Sequence, residues 1–182
     1  MREVEILVQV LDDKEKALKK LGKFEFKGEK KIIDTYFGMP NDMRYLEFKV
    51  SLRIRQVEGK CFIAFKKDNF ENSKWLYSDE YETEVDNYES AREILANLGF
   101  NELVKLENVK HKYQIDNYEI VLEEVDGLGL FLEVERLNLD DKEDVQKVRS
   151  EIQTFIDGLK IAVSKELNVG KLELMMKKNI GK

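Results

Sequence analysis

Apolar residues recur at every second position through most of the chain, which is the period of a half-buried strand. In Glu3 to Val10, the residues Val4, Ile6, Val8 and Val10 share one side, and Glu3, Glu5, Leu7 and Gln9 the other. Phe24 and Phe26 mark a second strand, and Lys31 to Phe37 a third. Glu47 to Val57 is a long strand in which Leu52 and Ile54 oppose Ser51, Arg53 and Arg55, and Glu58-Gly59 turns it into Lys60 to Lys67. After the polar stretch Asp68 to Lys74, alternation resumes over Trp75 to Val85, Val104 to Ile115, Tyr118 to Val125 and Leu130 to Leu137. Asp126-Gly127 between the last two is a strong hairpin turn.

Helical spacing interrupts this alternation in four places. Asp12-x-x-Glu15 opens a short helix that stops near Gly22. A second, Tyr88 to Leu98, carries the stripe Tyr88, Ala91, Ile94, Leu95 and Leu98 and ends at Gly99. Asp140-x-x-Glu143 opens a third with the stripe Val145, Val148, Ile152, Phe155, Ile156 and Leu159; a shorter helix lies around Leu172 to Lys177. The expected class is therefore α+β, mainly antiparallel β. Long antiparallel strands lose their exposed edges most completely by closing into a barrel.

Composition narrows the chemistry. One proline, Pro40, and no Gly/Ser-rich stretch leave no linker, so a single domain over residues 1–182 is expected, with helices from about 140 to 178 packed on the sheet. A hydrophobic share of 42% provides a core, while 37% charged residues and a mean hydropathy of -0.50 point to a soluble, cytoplasmic protein. No apolar run reaches membrane-spanning length, and the first residues have no signal-peptide character. The single cysteine, Cys61, rules out an internal disulfide framework and a Cys-rich zinc site. The single histidine, His111, has no second imidazole beside it and no G-x-S-x-G elbow to serve. Carboxylates, lysines and arginines remain. The net charge of -6 argues against non-specific nucleic-acid binding.

Those charges are sorted by strand. Glu3/Glu5, Glu80/Glu82/Glu84 and Glu133/Glu135 are acidic at i, i+2, and Arg53/Arg55 and Lys110/Lys112 are basic, so each set puts one sign on one face. Spacing alone leaves two readings open. The sets are solvated faces of half-buried strands, or they line a lumen. In a lumen, Arg and Lys would grip phosphate oxygens, and clustered carboxylates would hold Mg²⁺ or Mn²⁺. His111 alternates away from Lys110 and Lys112, as a packed or outward imidazole. Trp75 and Tyr77 support the fold or hold a base.

An ordered series of motifs resembles the CYTH superfamily, the triphosphate tunnel metalloenzymes. Glu3-Val4-Glu5 is similar to its E-x-E-x-K signature, Asp34-Thr35-Tyr36-Phe37 to D-x-Y-F, and Leu52-Arg53-Ile54-Arg55 to L-R-x-R. Phe65-Lys66 resembles the strand ending in a phosphate-binding Lys, Glu80 to Glu84 the acidic strand, and Lys110-His111-Lys112 the K-x-R strand. Gly127 to Glu135 matches G-L-G-x-F-x-E-x-E most closely. Asn97-Leu98-Gly99-Phe100, leading into Val109-Lys110, is most similar to the class IV adenylate cyclase branch, close to thiamine triphosphatases and tripolyphosphatases.

The resemblance implies an eight-stranded closed β tunnel with peripheral helices, acting on a triphosphate with Mg²⁺ or Mn²⁺. Either ATP is cyclised to cyclic AMP and pyrophosphate, or ATP, thiamine triphosphate or tripolyphosphate is hydrolysed. It implies Glu5, Glu133 and Glu135 as metal ligands. Arg53, Arg55, Lys66, Lys110, Lys112 and Glu82 line the substrate, while Glu3, Glu123 and Lys110 are the candidates for chemistry. No nucleic-acid or membrane partner is implied, and a homodimer is compatible with it. Four departures stand out: Leu7 for the family Lys, Lys112 for Arg, Glu123 for Asp, and Gly170-Lys171 for the C-terminal Ser-Tyr. The loss of an ammonium at position 7 makes a non-catalytic nucleotide- or polyphosphate-binding protein the alternative.

Overall fold

The computed structural model describes residues 2–40, 49–140 and 142–180. In chain order the elements are β1 (Arg2–Glu3), β2 (Glu5–Gln9), α1 (Lys14–Leu21), β3 (Glu25–Gly38), β4 (Val50–Val57), β5 (Lys60–Glu71) and β6 (Lys74–Val85). Then follow α2 (Tyr88–Asn97), β7 (Asn101–Ile115), β8 (Tyr118–Val125), β9 (Gly129–Arg136), α3 (Val145–Gly158) and α4 (Lys171–Ile180). All strand pairs are antiparallel, in the order β1-β6-β5-β4-β3-β7-β8-β9-β2.

The two ends of that order, β1 and β2, are consecutive segments of one stretch broken only at Val4. Counted as one strand they make eight, and the sheet returns on itself there. The joint is uneven. Arg2 and Glu3 pair with Asp79 and Ser78 of β6, whereas Glu5 to Gln9 pair with Glu135 to Phe131 of β9. Beyond Glu3 the strands part, and other groups take over their polar atoms. Arg149 of α3 donates from Nη1 to the carbonyls of Glu5 and Leu76, both at 3.0 Å. Leu167 N–H donates to Leu7 O, and Ser164 N–H to Gln9 O. The Asn168 side chain accepts from Trp75 N–H. No backbone donor or acceptor is buried without cost, so this segment does the work of the missing ladder.

Alternation decides which way each side chain points. Val4, Ile6, Val8 and Val10 join Ile120, Leu122, Leu132 and Val134 in the main core under α1 and α3, which contribute Ala17, Leu21, Val148, Ile152 and Ile156. Ile54 and Phe37 pack with Ala91 and Leu95 of α2. The odd-numbered partners on β2, β4, β8 and β9 face the other way, into the sheet's concave side. A third cluster on that inner side, Leu7, Tyr36, Leu106, Val125 and Phe131, seats Leu172 of α4.

Several boundaries differ from those the alternation predicts. The strands expected around Phe24 and from Lys31 are one strand, β3, because a bulge between Phe26 and Gly28 absorbs the register shift; Gly28 takes φ 130°, open to glycine alone. The polar stretch Asp68 to Lys74 is the end of a hairpin. Asn72 and Ser73, at φ 50° and 63°, form its two-residue turn. On α2, Ala91 and Leu95 are buried, but Ile94 and Leu98 are exposed, since the helix touches the sheet along a narrower stripe than its sequence offers. α1 is capped by Asp13 rather than Asp12. Glu143 bonds back to Asp140 N–H as expected, yet α3 starts two residues later with Asp144 as its cap. Residues 47 and 48 of the expected fourth strand lie outside the described residues.

Candidate active site

The concave side encloses a cavity of about 900 Å³. Every residue singled out for a site lines it: Glu3, Glu5, Glu82, Glu123, Glu133 and Glu135 among the acids, with Arg53, Arg55, Lys66, Lys110 and Lys112 among the bases. They come from eight of the nine strands, and they meet because i, i+2 neighbours of a strand share a face, here the concave one. Glu84 is the exception to its set, pairing with Lys60 on the exposed surface. His111 faces away, as its alternation predicts, with Nδ1 3.4 Å from Glu29. Trp75 is buried and donates Nε1–H to Ser78, and Tyr77 packs against the main core.

The charges are arranged in three groups. At the first, Asp34 is buried and receives a two-pronged bond from Arg55 Nε and Nη2, at 2.8 and 2.9 Å. Burial would raise the Asp34 pKa; Arg53 and Arg55 override it and hold it at about 2. Arg53 reaches on to Glu80 at 2.8 Å. Asp34 thus fixes the Arg55 guanidinium at the cavity wall, with that of Arg53 beside it at 3.9 Å.

At the second, Lys66 Nζ lies 2.6 Å from Glu5, 3.2 Å from Glu3 and 3.8 Å from Glu80. Burial works against its charge, but Glu5, Glu3 and Glu80 outweigh that and raise its pKa. The third was not read from the sequence as a site residue: Lys171, first residue of α4, donates to Glu123 and, at 2.8 Å, to Glu133. Burial opposes ionisation of Glu133, yet Lys171, Lys110 and Lys66 hold its pKa well down. Lys110 stands 3.7 Å from Glu123, and Lys112 pairs with Glu119. The only sequence sign of Lys171 is the Gly170-Lys171 departure, because helical periodicity does not say which end of a short helix enters a cavity.

Glu135 has no ion-pair partner among the described residues. Burial, reinforced by Glu3, Glu5, Glu133 and Glu119, pushes its pKa up to about 8. Glu5, Glu133 and Glu135 offer hard carboxylate oxygens, the right donors for Mg²⁺ or Mn²⁺. In this arrangement, however, no three acidic, His or Cys side chains among the described residues are gathered as a metal site. The donor set fits in kind; lysines hold Glu5 and Glu133.

The antiparallel sheet thus curls around a cavity lined by cations and carboxylates sorted by strand. The chain belongs to the CYTH domain family, whose model matches residues 1–167. A protein of Methanocaldococcus jannaschii named "putative adenylate cyclase" is 33% identical over 177 residues, which are 96% of this chain and 98% of that one. Among solved structures, the PH1819 protein of Pyrococcus horikoshii superposes with a TM-score of 0.83 at 26% identity, covering 97% and 99% of the two chains. A Hippeastrum protein described as a "putative adenylyl cyclase" with a dominant triphosphatase activity shares the fold, at TM-score 0.68 and 16% identity over 97% and 96%. No helix among the described residues is long and apolar enough to cross a membrane.

Proposed function

We propose that the tunnel binds a triphosphate, with Mg²⁺ or Mn²⁺, and hydrolyses a phosphoanhydride bond. The observation that carries this is the meeting of Arg53, Arg55, Lys66, Lys110 and Lys112 in one cavity. Phosphoryl transfer needs little covalent help from a protein, so positioning and charge neutralisation supply most of the catalysis. In this reading Arg53 and Arg55, pre-set by Asp34, hold phosphate oxygens in their fork geometry. Lys66 and Lys112 neutralise the flanking phosphates, and Lys110, beside Glu123, meets the charge that develops on the transferred group. Glu3 and Glu123 orient the attacking water, while Glu82 lines the substrate. Glu5, Glu133 and Glu135 would hold the divalent ion, which when bound offsets phosphate charge. Lys171 brings an ammonium to the inner face where Leu7 lacks one, since Leu7 is the cross-strand partner of Glu133.

Cyclisation of ATP is the second reading, favoured by the name of the Methanocaldococcus jannaschii relative. Hydrolysis comes first because, of the two aromatic candidates for holding a base, Tyr77 packs against the main core and Trp75 is buried with its Nε1–H committed to Ser78. The test is to incubate the protein with ATP, thiamine triphosphate and tripolyphosphate in Mg²⁺ or Mn²⁺ and identify the products. Orthophosphate supports hydrolysis; cyclic AMP with pyrophosphate supports the cyclase. Binding without turnover makes the tunnel a sensor. Arg55→Ala should lower kcat by about 100-fold or more. Lys112→Ala, which disturbs no buried pair, should weaken substrate binding. If neither variant changes binding or turnover, the tunnel is not the site.

A further inference from the structure

Among the described residues, eleven acidic and eight basic side chains line the cavity, so this lining is formally negative although it is rich in cations. A triphosphate entering alone meets more carboxylates than ammonium and guanidinium groups. A divalent ion entering alone meets carboxylates that, apart from Glu135 in the implied metal set, are already taken. Lys66 holds Glu5 and Glu3, and Lys171 holds Glu123 and Glu133. Both lysines sit in tight, buried pairs whose separation exposes an uncompensated charge, the costly half of a buried salt bridge. Neither ligand can be accommodated without the opposite charge that the other supplies.

We propose that Lys66 and Lys171 act as place-holding cations, and that metal and triphosphate bind as an obligate pair. The polyanion draws the two ammonium groups away from the carboxylates toward its own oxygens, and the freed Glu5, Glu133 and neighbouring Glu135 accept the ion. This rests on the triphosphate reading of the tunnel and adds the order of its assembly. It also accounts for the arrangement around Glu135, which is left without a lysine while every other carboxylate in the implied metal set has one. One unpaired carboxylate is a weak divalent site. Coupling of this kind is reciprocal, so each ligand must raise the affinity of the other by the same factor.

The test is calorimetric titration of Mn²⁺ into the protein with and without imidotriphosphate, a triphosphate that resists hydrolysis, with free concentrations corrected for the complex formed in solution. Mn²⁺ should bind on the order of tenfold to 100-fold more tightly in its presence, and imidotriphosphate should gain the same factor from Mn²⁺. Lys171→Met gives the decisive sign: with no triphosphate present, its Mn²⁺ affinity should rise, by about tenfold, and the coupling should shrink. Damage to the fold weakens both ligands and cannot produce that rise. Lys66→Met provides a second measurement in the same direction. Equal Mn²⁺ affinity with and without imidotriphosphate overturns the pairing while leaving the function intact. Strong coupling that both lysine variants leave unchanged, in cooperatively melting protein, overturns the role of the lysines. If imidotriphosphate binds at no Mn²⁺ concentration, the triphosphate reading falls and this inference with it.

Discussion

Asp34 carries the sharpest consequence at the scale of one residue. Its carboxylate is enclosed by Arg55, Arg53 at 3.9 Å and Asn108, with Lys110 adding to the field. Its folded pKa of about 2 lies below the ordinary 3.8, so the unfolded chain binds its proton first as pH falls. The stabilisation is therefore complete above about pH 5 and is lost as pH drops through 4 toward 2; a shift of nearly two pKa units corresponds to about 2.5 kcal/mol. Urea unfolding between pH 5 and pH 2 should show that decline in the wild type. Asp34→Asn should lose about 3 kcal/mol at neutral pH, because two buried guanidinium groups lose their counter-charge, and should decline less steeply in acid. Parallel curves for the two proteins would show that Asp34 is not the titrating group. The sequence placed Asp34 in a motif but not in a role. Alternation tells which face a residue takes, but not which strand lies beside it: Arg55 is directly opposite Asp34 on β4, and Arg53 lies two positions along.

At the scale of elements, the instructive exchange is between β2 and α4. Leu7 is 2% exposed and belongs to the apolar cluster that receives Leu172. Lys171, one residue earlier, delivers its ammonium to Glu133, the cross-strand partner of Leu7. A strand that gives up its lysine is thus compensated by a helix that adds one. Leu7→Lys alone should destabilise the protein by about 3 kcal/mol, since it buries a second ammonium beside a carboxylate already paired. In a Lys171→Met background the same substitution should cost at least about 1 kcal/mol less, because Glu123 and Glu133 then need the new cation. Thermal or urea melting of the four proteins measures the difference. Strictly additive effects would separate the two positions. Strand period made Leu7 and the acidic pairs legible in advance. The reach of α4 was not, because a ten-residue helix with one apolar stripe fits many places on a sheet. The merging of β3 was hidden for a related reason: a bulge at Gly28 breaks the period of two that would have revealed one strand.

For the whole molecule, the weak point of the closed sheet is where β1 meets β6. The ladder there has two residue pairs, against thirteen between β3 and β7. The curled antiparallel sheet was legible from the strand pattern, but the device that secures the seam was not, because it belongs to no strand. Arg149 is buried in α3, pairs with Glu166, and ties Glu5 on one side of the gap to Leu76 on the other. Glu5 is also the carboxylate that Lys66 grips, so the seam and the cavity share a residue. Local opening of the molecule should begin there, where few backbone bonds resist it. Arg149→Met should cost about 3 kcal/mol and speed hydrogen exchange of amides in residues 3–5 and 76–79 by about tenfold, leaving the β3–β7 amides unchanged. Because the cavity draws its charges from both sides of the gap, Mn²⁺ with imidotriphosphate should slow exchange at those same amides in the wild type. In Arg149→Met that protection should persist while the basal exchange stays fast, since the ligand then bridges what the arginine no longer does. Uniform acceleration across all strands would place Arg149 in the general core and remove the seam as the first site of opening.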